Sequence, residues 1–180
     1  MHDSGAFVVR IATLDEGESH RELIGTAGEL DLTEAGFQTE APVVFRARIY
    51  RVGNRIEVNG TVTAGLRLAC GKCLEEFDQR IQVDVRVYAE PRPSRDHRPE
   101  EEVREDDLGM VYHDGQILDL TEEVRQSVLV EVPWHPQCRE DCRGLCPRCG
   151  TNWNTAQCSC DLEPHDSRWE ALREMLKKRN

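Results

Sequence analysis

Residues 55–73 read RIEVNGTVTAGLRLACGKC, and this stretch decides the fold. Its apolar side chains fall on alternate positions: Ile56, Val58, Val62, Ala64, Leu66, Leu68 and Cys70. The positions between them are mostly polar or charged: Arg55, Glu57, Asn59, Thr61, Thr63 and Arg67. A period of two is typical of a strand with one buried face. We therefore predict a long strand that bends or bulges at Gly60 or Gly65 and runs into a Cys-x-x-Cys turn.

The same alternation continues on both sides of this stretch. The preceding segment alternates in the same way over Val43, Val44, Phe45, Arg46, Ala47, Arg48, Ile49 and Tyr50. The following segment does so over Ile81, Gln82, Val83, Asp84, Val85, Arg86, Val87 and Tyr88. Gly53-Asn54 predicts a tight turn between the first two strands. Three consecutive antiparallel strands form a meander, which can close into a partial barrel.

Further elements are predicted after the meander. The polar run 94–107 lacks apolar periodicity and predicts a mobile loop. Two short segments, 110–113 and 116–120, predict a hairpin around Asp114-Gly115. Thr121 is predicted to cap a helix that buries one face and stops at Pro133. The residues of that face are Leu120, Val124 and Val128.

The two ends of the chain give weaker signals. The first 40 residues predict one strand and a turn at Asp31-Leu32-Thr33-Glu34. Near the C-terminus, Asp166 can cap an amphipathic helix. Its apolar stripe is Trp169, Leu172 and Leu176.

The eight cysteines point to metal. The chain of 180 residues is long enough for one compact domain plus a small appendage. It shows no basic, apolar leader and no apolar run long enough to span a membrane, so we expect a cytoplasmic protein. Thiols stay reduced in that compartment, so metal binding is favoured over disulfides.

Six of the cysteines lie close together in the sequence, at Cys138, Cys142, Cys146, Cys149, Cys158 and Cys160. Cys146-Pro147-Arg148-Cys149-Gly150 has the form of a zinc knuckle, in which Gly150 supplies the permissive backbone. The spacing predicts one site from Cys146, Cys149, Cys158 and Cys160.

The remaining cysteines can complete a second site, made of Cys70, Cys73, Cys138 and Cys142. The cofactor prediction is therefore one or two Zn²⁺ ions. His135 is an alternative ligand, but its Pro-flanked position is more typical of a surface histidine.

The predicted architecture is α+β, an antiparallel β-meander or partial barrel with a helix, then a Cys-rich zinc module and a terminal helix. The predicted ranges are 1–133 for the sheet domain, 134–161 for the zinc module and 162–180 for the amphipathic helix.

Catalysis is not expected. Four thiolates close a zinc site, whereas a catalytic zinc keeps an open position. Cys70 and Cys73 lie between two predicted strands, while a thioredoxin-like redox motif needs a strand-to-helix setting. The sequence has neither a phosphate-binding Gly-rich loop nor a nucleophile motif. We predict that the chain is not an enzyme and takes no small-molecule substrate.

The charge distribution bears on partners. The net charge is −11, yet residues 41–93 carry nine basic and six acidic side chains. This mildly basic middle either faces phosphates or is only a solvated sheet face.

Several motifs in a fixed order make the chain similar to the YceD family of large ribosomal RNA subunit accumulation proteins. They extend over roughly residues 40–176 and comprise Cys70-Gly71-Lys72-Cys73-Leu74, Asp119-Leu120, Pro133-Trp134-His135-Pro136, the run Cys138 to Cys160, especially Gly144 to Asn152, and Asp166-Ser167-Arg168-Trp169 with Leu172. Lys72 departs from the family, where Arg is frequent.

The resemblance implies a non-enzymatic factor in large ribosomal subunit biogenesis, needed for 23S rRNA to accumulate. The expected partner is the pre-50S particle, reached through 23S rRNA or a ribosomal protein, with no membrane involved. The residues considered for RNA contact are Arg46, Arg48, Tyr50, Arg55, Arg67, Lys72, Arg86 and Tyr88. Two alternatives stay open, a zinc-stapled protein–protein adaptor and a thiol or zinc redox switch.

Overall fold

The computed structural model describes residues 5–33, 37, 39, 41–92, 110–161 and 175. The predicted mobile loop 94–107 lies outside these residues. The predicted terminal helix, with Asp166 and Trp169, also lies outside them, except for Met175, which is helical.

A five-stranded sheet forms the centre of the fold, in the order β2-β3-β4-β5-β6. Its strands are β2 (Gly17–Gly25), β3 (Val43–Val52), β4 (Arg55–Ala69), β5 (Glu76–Pro91) and β6 (Met110–His113). The first four are antiparallel neighbours, whereas β6 runs parallel to β5. Because β2 and β6 remain edges, the described sheet is open and does not close into a barrel.

The predicted meander is confirmed as β3, β4 and β5, and β2 extends it by one strand. The alternation along the sequence becomes an alternation of burial. Phe45, Val58 and Val62 are fully buried, and the polar positions between them face outward. The predicted turn between β3 and β4 is also present, with Gly53 at a φ of 59°.

β4 contains no bulge. Its register is unbroken against β3 and against β5, so the bulge considered at Gly60 or Gly65 is absent. Gly60 instead permits a close approach of strands. A Cβ atom there would lie 2.2 Å from the carbonyl oxygen of Arg46 and 2.7 Å from the ring of Phe45.

The predicted hairpin of residues 110–113 and 116–120 is wrong in its pairing. Both strands exist, but β7 (Ile117–Asp119) pairs antiparallel with β1 (Val8–Arg10), which precedes a short 3-10 helix at Ile11–Thr13. β6 pairs instead with the outer edge of β5, whose backbone groups would otherwise lack partners. The buried His113 fixes this arrangement, since its Nε2 donates to the carbonyl of Asn54 and its Nδ1 accepts from Gly115.

The helix α1 (Thr121–Glu131) packs on β4 and β5. Val124 and Val128 are fully buried, as the sequence predicted. Thr121 is the first helical residue and not the cap. The N-cap position falls on Leu120, whose side chain makes no capping bond. Asp119 Oδ1 accepts the Thr121 N–H at 2.9 Å and so satisfies the first free N–H of the helix.

One apolar core lies between the sheet, α1 and the N-terminal segment. Its largest fully buried side chains include Phe7, Leu30, Leu32, Phe45 and Leu118. A separate small cluster of buried cysteines lies at the β4–β5 turn. Among the described residues, the helices are too short or too polar to cross a membrane.

Replacing Gly60 by Ala should lower the free energy of unfolding by about 2 to 3 kcal/mol, because the added methyl group meets backbone and core atoms that must shift. Gly65→Ala in the same strand is the matched control, since its nearest neighbour would lie 3.6 Å away. The control should change stability by less than about 0.5 kcal/mol. Urea unfolding measures both, and equal effects would contradict the close approach at Gly60.

Candidate functional site

The eight cysteines form two groups of four. Thiol cluster 1 is Cys70, Cys73, Cys138 and Cys142, and thiol cluster 2 is Cys146, Cys149, Cys158 and Cys160. Within each cluster the four sulfur atoms lie within 4.8 Å of one another. The structure thus brings together the set predicted from the spacing and the set proposed from the remaining four cysteines.

The sulfur separations in thiol cluster 1 match a metal site. Cys70 Sγ lies 3.8 Å from Cys142 Sγ, and Cys73 Sγ lies 3.7 Å from Cys138 Sγ. Four sulfurs arranged tetrahedrally at about 2.3 Å from a zinc ion are about 3.8 Å apart. A disulfide would bring two sulfurs to about 2.05 Å. Each cluster can therefore hold one metal ion.

The first knuckle continues directly from β4. Cys70 N–H donates to Glu75 O at 2.9 Å, and Leu74 N–H donates to Cys70 O at 2.9 Å. The Lys72 N–H points at Cys70 Sγ, at 3.4 Å. These bonds fix the backbone of the turn between β4 and β5, which carries the thiols of Cys70 and Cys73.

The second knuckle repeats this geometry. Cys146 N–H donates to Thr151 O at 2.8 Å, and Gly150 N–H donates to Cys146 O at 2.9 Å. Gly150 has a φ of 73° and the corresponding residue, Leu74, a φ of 60°. The sequence identified the role of Gly150 but missed Leu74, although both directly follow the second cysteine of a Cys-x-x-Cys pair.

Hydrogen bonds attach the C-terminal cysteines to the first knuckle. Gly71 N–H donates to Pro136 O at 2.8 Å, and Leu145 N–H donates to Lys72 O at 3.1 Å. Gly144 lies so near the same turn that a Cβ atom would be 3.1 Å from Lys72 O. Thiol cluster 1 therefore sits where residues 136–145 meet the end of the sheet.

One short segment contacts both clusters. Asn154 Nδ2 points at Cys142 Sγ of thiol cluster 1, at 3.4 Å. Trp153 Nε1 donates to Cys158 Sγ of thiol cluster 2, also at 3.4 Å. Asn152 binds the Glu75 carboxylate at 2.9 Å. No sequence pattern predicts these contacts, because they depend on how the two clusters pack.

Hydrogen bonding and burial give the thiols within each cluster different pKa values. Backbone N–H groups of Cys73 and Cys138 lower the pKa of Cys70 to about 6. Thr151 lowers the pKa of Cys149 to about 6. Burial raises the pKa of Cys138 to about 12, and hydrogen bonding to Cys149 raises the pKa of Cys160 to about 12. Each cluster thus stabilises some thiolates, and a bound cation would displace the remaining protons.

His135 belongs to neither cluster. Its side chain is exposed, in line with its interpretation as a surface histidine. The neighbouring Trp134 is 95% exposed.

The residues considered for RNA contact lie in two parts of the structure. Seven lie on the outward face of the sheet: Arg46, Arg48, Tyr50, Arg55, Arg67, Arg86 and Tyr88. Lys72 is exposed in the first knuckle, away from this face.

Several of these cations are already paired. Arg46 contacts Glu22 at 2.8 Å, Arg55 contacts Glu90 at 2.9 Å, and Arg67 contacts Asp78 at 3.2 Å. A groove of about 1010 Å³ crosses the same face between Arg46, Arg48 and Arg86.

Comparison with known proteins identifies similar sequences. A family model described as "Large ribosomal RNA subunit accumulation protein YceD" matches residues 58–176. An uncharacterized protein of Mycobacterium tuberculosis is 35% identical over 130 residues, covering 72% of this chain and 59% of the relative. An uncharacterized protein of Mycobacterium leprae is 36% identical, covering 62% of this chain and 49% of the relative.

A maize protein named large ribosomal RNA subunit accumulation protein YCED homolog 1, chloroplastic, is 24% identical, covering 77% of this chain and 54% of the relative. The chain therefore spans only about half to three fifths of the length of these relatives. No solved structure matches the chain.

Proposed function

Because the chain belongs to the YceD family of large ribosomal RNA subunit accumulation proteins, we propose that it is a non-enzymatic, zinc-binding factor in large ribosomal subunit biogenesis. It supports 23S rRNA accumulation in the cytoplasm by acting on the pre-50S particle, through 23S rRNA or a ribosomal protein. The observation that carries the proposal is the family match, which runs from within β4 to residue 176 and includes every cysteine.

Zinc is the metal proposed for both thiol clusters. Its ions favour four thiolate ligands in a tetrahedron, and the sulfur separations of 3.7 and 3.8 Å in thiol cluster 1 fit that geometry. With four thiolates each, the ions have no open position for a substrate, which supports a structural role.

The clusters also support the proposed organisation of the chain. The sheet domain, 1–133, supplies Cys70 and Cys73, and the zinc module, 134–161, supplies the other six ligands. Thiol cluster 1 thus joins the module to the sheet. Residues 162–180 are proposed to form an amphipathic helix, on the basis of the sequence pattern alone.

RNA contact through the outward sheet face is part of the same proposal. The candidate residues are Arg46, Arg48, Tyr50, Arg55, Arg67, Lys72, Arg86 and Tyr88. Their exposure and the groove between three of the arginines support it. Cations on such a surface neutralise phosphates, and tyrosine rings stack on bases.

A protein–protein adaptor is the second candidate function, and the observation that favours it is Trp134. An indole that is 95% exposed, four residues before Cys138, suits an anchor for a partner protein, because Trp is enriched among the residues that dominate such interfaces. In this role the zinc module would hold the docking surface in place.

Changing Cys70 and Cys73 to Ser should reduce the zinc content from two ions per chain to one, because thiol cluster 1 then keeps only two thiolates. Elemental analysis of the purified protein measures the count. Lys72→Ala is the matched control, since the exposed Lys72 lies between these cysteines without a thiol, and it should retain two ions. A double Cys variant with an unchanged zinc count would exclude thiol cluster 1 as a zinc site.

Depletion of the protein should lower the ratio of 23S to 16S rRNA in cells, because the large subunit would lose an accumulation factor. A plasmid copy of the gene should restore the ratio, and an empty plasmid should not. RNA electrophoresis of total RNA measures it. An unchanged ratio under proven depletion would contradict the proposed function and favour the adaptor.

A further inference from the structure

The outward sheet face is organised in cross-strand rows, and one of them forms a cleft between two tyrosines. We propose that the cleft between Tyr50 and Tyr88 binds two stacked, unpaired RNA bases, while Arg48 and Arg86 hold the adjoining phosphates. The choice of RNA as the ligand rests on the proposed function; the position of the site and its selectivity come from the geometry of β3, β4 and β5.

The aromatic row consists of Tyr50, Glu57 and Tyr88, which are direct cross-strand partners on β3, β4 and β5. The tyrosines are 50% and 45% exposed, so their rings extend beyond the sheet surface. A cleft of about 410 Å³ is lined by the three residues of this row and, beside them, by Val52, Met110 and the ion-paired Arg55 and Glu90. Both rings line this cleft, and Glu57 is the residue between them in the row.

The width of the cleft suits two bases. Neighbouring strands are about 4.8 Å apart, so residues on β3 and β5 are separated by roughly 9.6 Å. Two bases stacked between two rings require three stacking intervals of about 3.4 Å, roughly 10 Å in total. Bases in a duplex are stacked on one another and offer no free faces to the rings, so the geometry selects single-stranded RNA.

The cationic row lies next to the aromatic row. Arg48, Asn59 and Arg86 are cross-strand partners, two residues along each strand from the aromatic row and about 6.7 Å away. Arg48 has no ion pair among the residues that the structure describes, and Arg86 donates only to the neutral amide of Asn59, at 2.9 Å. Both guanidinium groups therefore keep their charge available for phosphates.

The next row consists of Arg46, Thr61 and Asp84, and its arginine is already paired with a carboxylate. Arg46 is paired with Glu22, and Thr61 donates to Asp84 at 2.7 Å. Arg55 and Arg67 also face carboxylates. The inference therefore narrows the RNA-contact candidates on the sheet to Arg48, Arg86 and the two tyrosines.

Glu57 lies between the two rings and gives the cleft a chemical preference. Its Oε1 accepts from Asn59 Nδ2 at 2.7 Å, which orients the carboxylate. A carboxylate repels phosphate, but it accepts hydrogen bonds from base amino groups such as cytosine N4. Uracil carries a carbonyl oxygen at the equivalent position. The cleft should therefore prefer bases with an amino group over uracil.

Fluorescence anisotropy with labelled single-stranded RNA of about eight nucleotides tests the site. The probes are a mixed-sequence strand, an oligouridine strand and the duplex of the mixed sequence. The wild-type, zinc-loaded full chain should bind the mixed strand at least ten-fold more tightly than the other two. Tyr50→Leu/Tyr88→Leu should weaken that binding at least ten-fold, because each stacking contact contributes substantially.

Matched variants control for general effects. Tyr112→Leu removes a tyrosine of similar exposure on β6, and Arg80→Gln removes an exposed cation from the same sheet face. Both should bind within about two-fold of wild type, whereas Arg48→Gln should bind several-fold more weakly and reduce the salt slope by about one. Circular dichroism of each variant checks folding.

Equal binding of wild type and the Tyr50/Tyr88 variant, equal binding of duplex, or association with a protein and not with RNA would each overturn the proposal. The ratio of 23S to 16S rRNA after depletion tests the proposed function separately, because it is measured without any of the cleft variants. An unchanged ratio together with selective binding of single-stranded RNA would contradict the proposed function but support the cleft as an RNA-binding site.

Discussion

Four thiols from two distant parts of the chain meet at the end of the β4–β5 hairpin, and the position of the C-terminal cysteine-rich segment depends on that contact. Cys70 and Cys142 are separated by 72 residues in sequence, and Cys73 and Cys138 by 65. Closing loops of this length costs conformational entropy. A metal ion bound at thiol cluster 1 would offset that cost, in the way that a disulfide does in small proteins. The hydrogen bonds from Gly71 and Leu145 add local attachment, and Phe77 and Leu145 pack against the buried cysteines.

The sheet provides the rigid half of this arrangement. β4 and β5 are long and paired without interruption, so the turn that carries Cys70 and Cys73 extends from a well-supported hairpin. The same pairing aligns Tyr50, Glu57 and Tyr88 in one row, and Arg48, Asn59 and Arg86 in the next. One structural element therefore positions both the thiols at its end and the polar face along its length. The segment 152–154 then links the two clusters through hydrogen bonds to Cys142 and Cys158.

Sequence patterns predicted the features that depend on local periodicity and spacing. The alternation around Val58 and Val62 identified the meander and its buried face. The cysteine spacing grouped Cys146, Cys149, Cys158 and Cys160, and the second group of thiols was proposed from the four cysteines that remained. The prediction that failed concerns which strands pair when the segments are distant in the sequence. A short strand such as β6 can pair with any free edge, so its parallel pairing to β5 was not predictable. The bond from the Thr121 N–H to Asp119 was missed because Thr121 is itself a common capping residue. The left-handed backbone of Leu74 was missed because glycine is the residue that usually adopts a positive φ. The placement of seven RNA-contact candidates on one face follows from strand parity, whereas their ion pairs required the structure.

X-ray absorption spectroscopy at the zinc edge of the purified full chain tests whether zinc fills two all-cysteine sites, of which thiol cluster 1 joins the zinc module to the sheet. We expect two zinc ions per chain, each with four sulfur neighbours at about 2.3 Å and no nitrogen or oxygen shell. A mixed sulfur and nitrogen or oxygen shell would contradict this expectation. A folded chain purified without zinc, with the cysteines of thiol cluster 1 oxidised to disulfides, would contradict it as well.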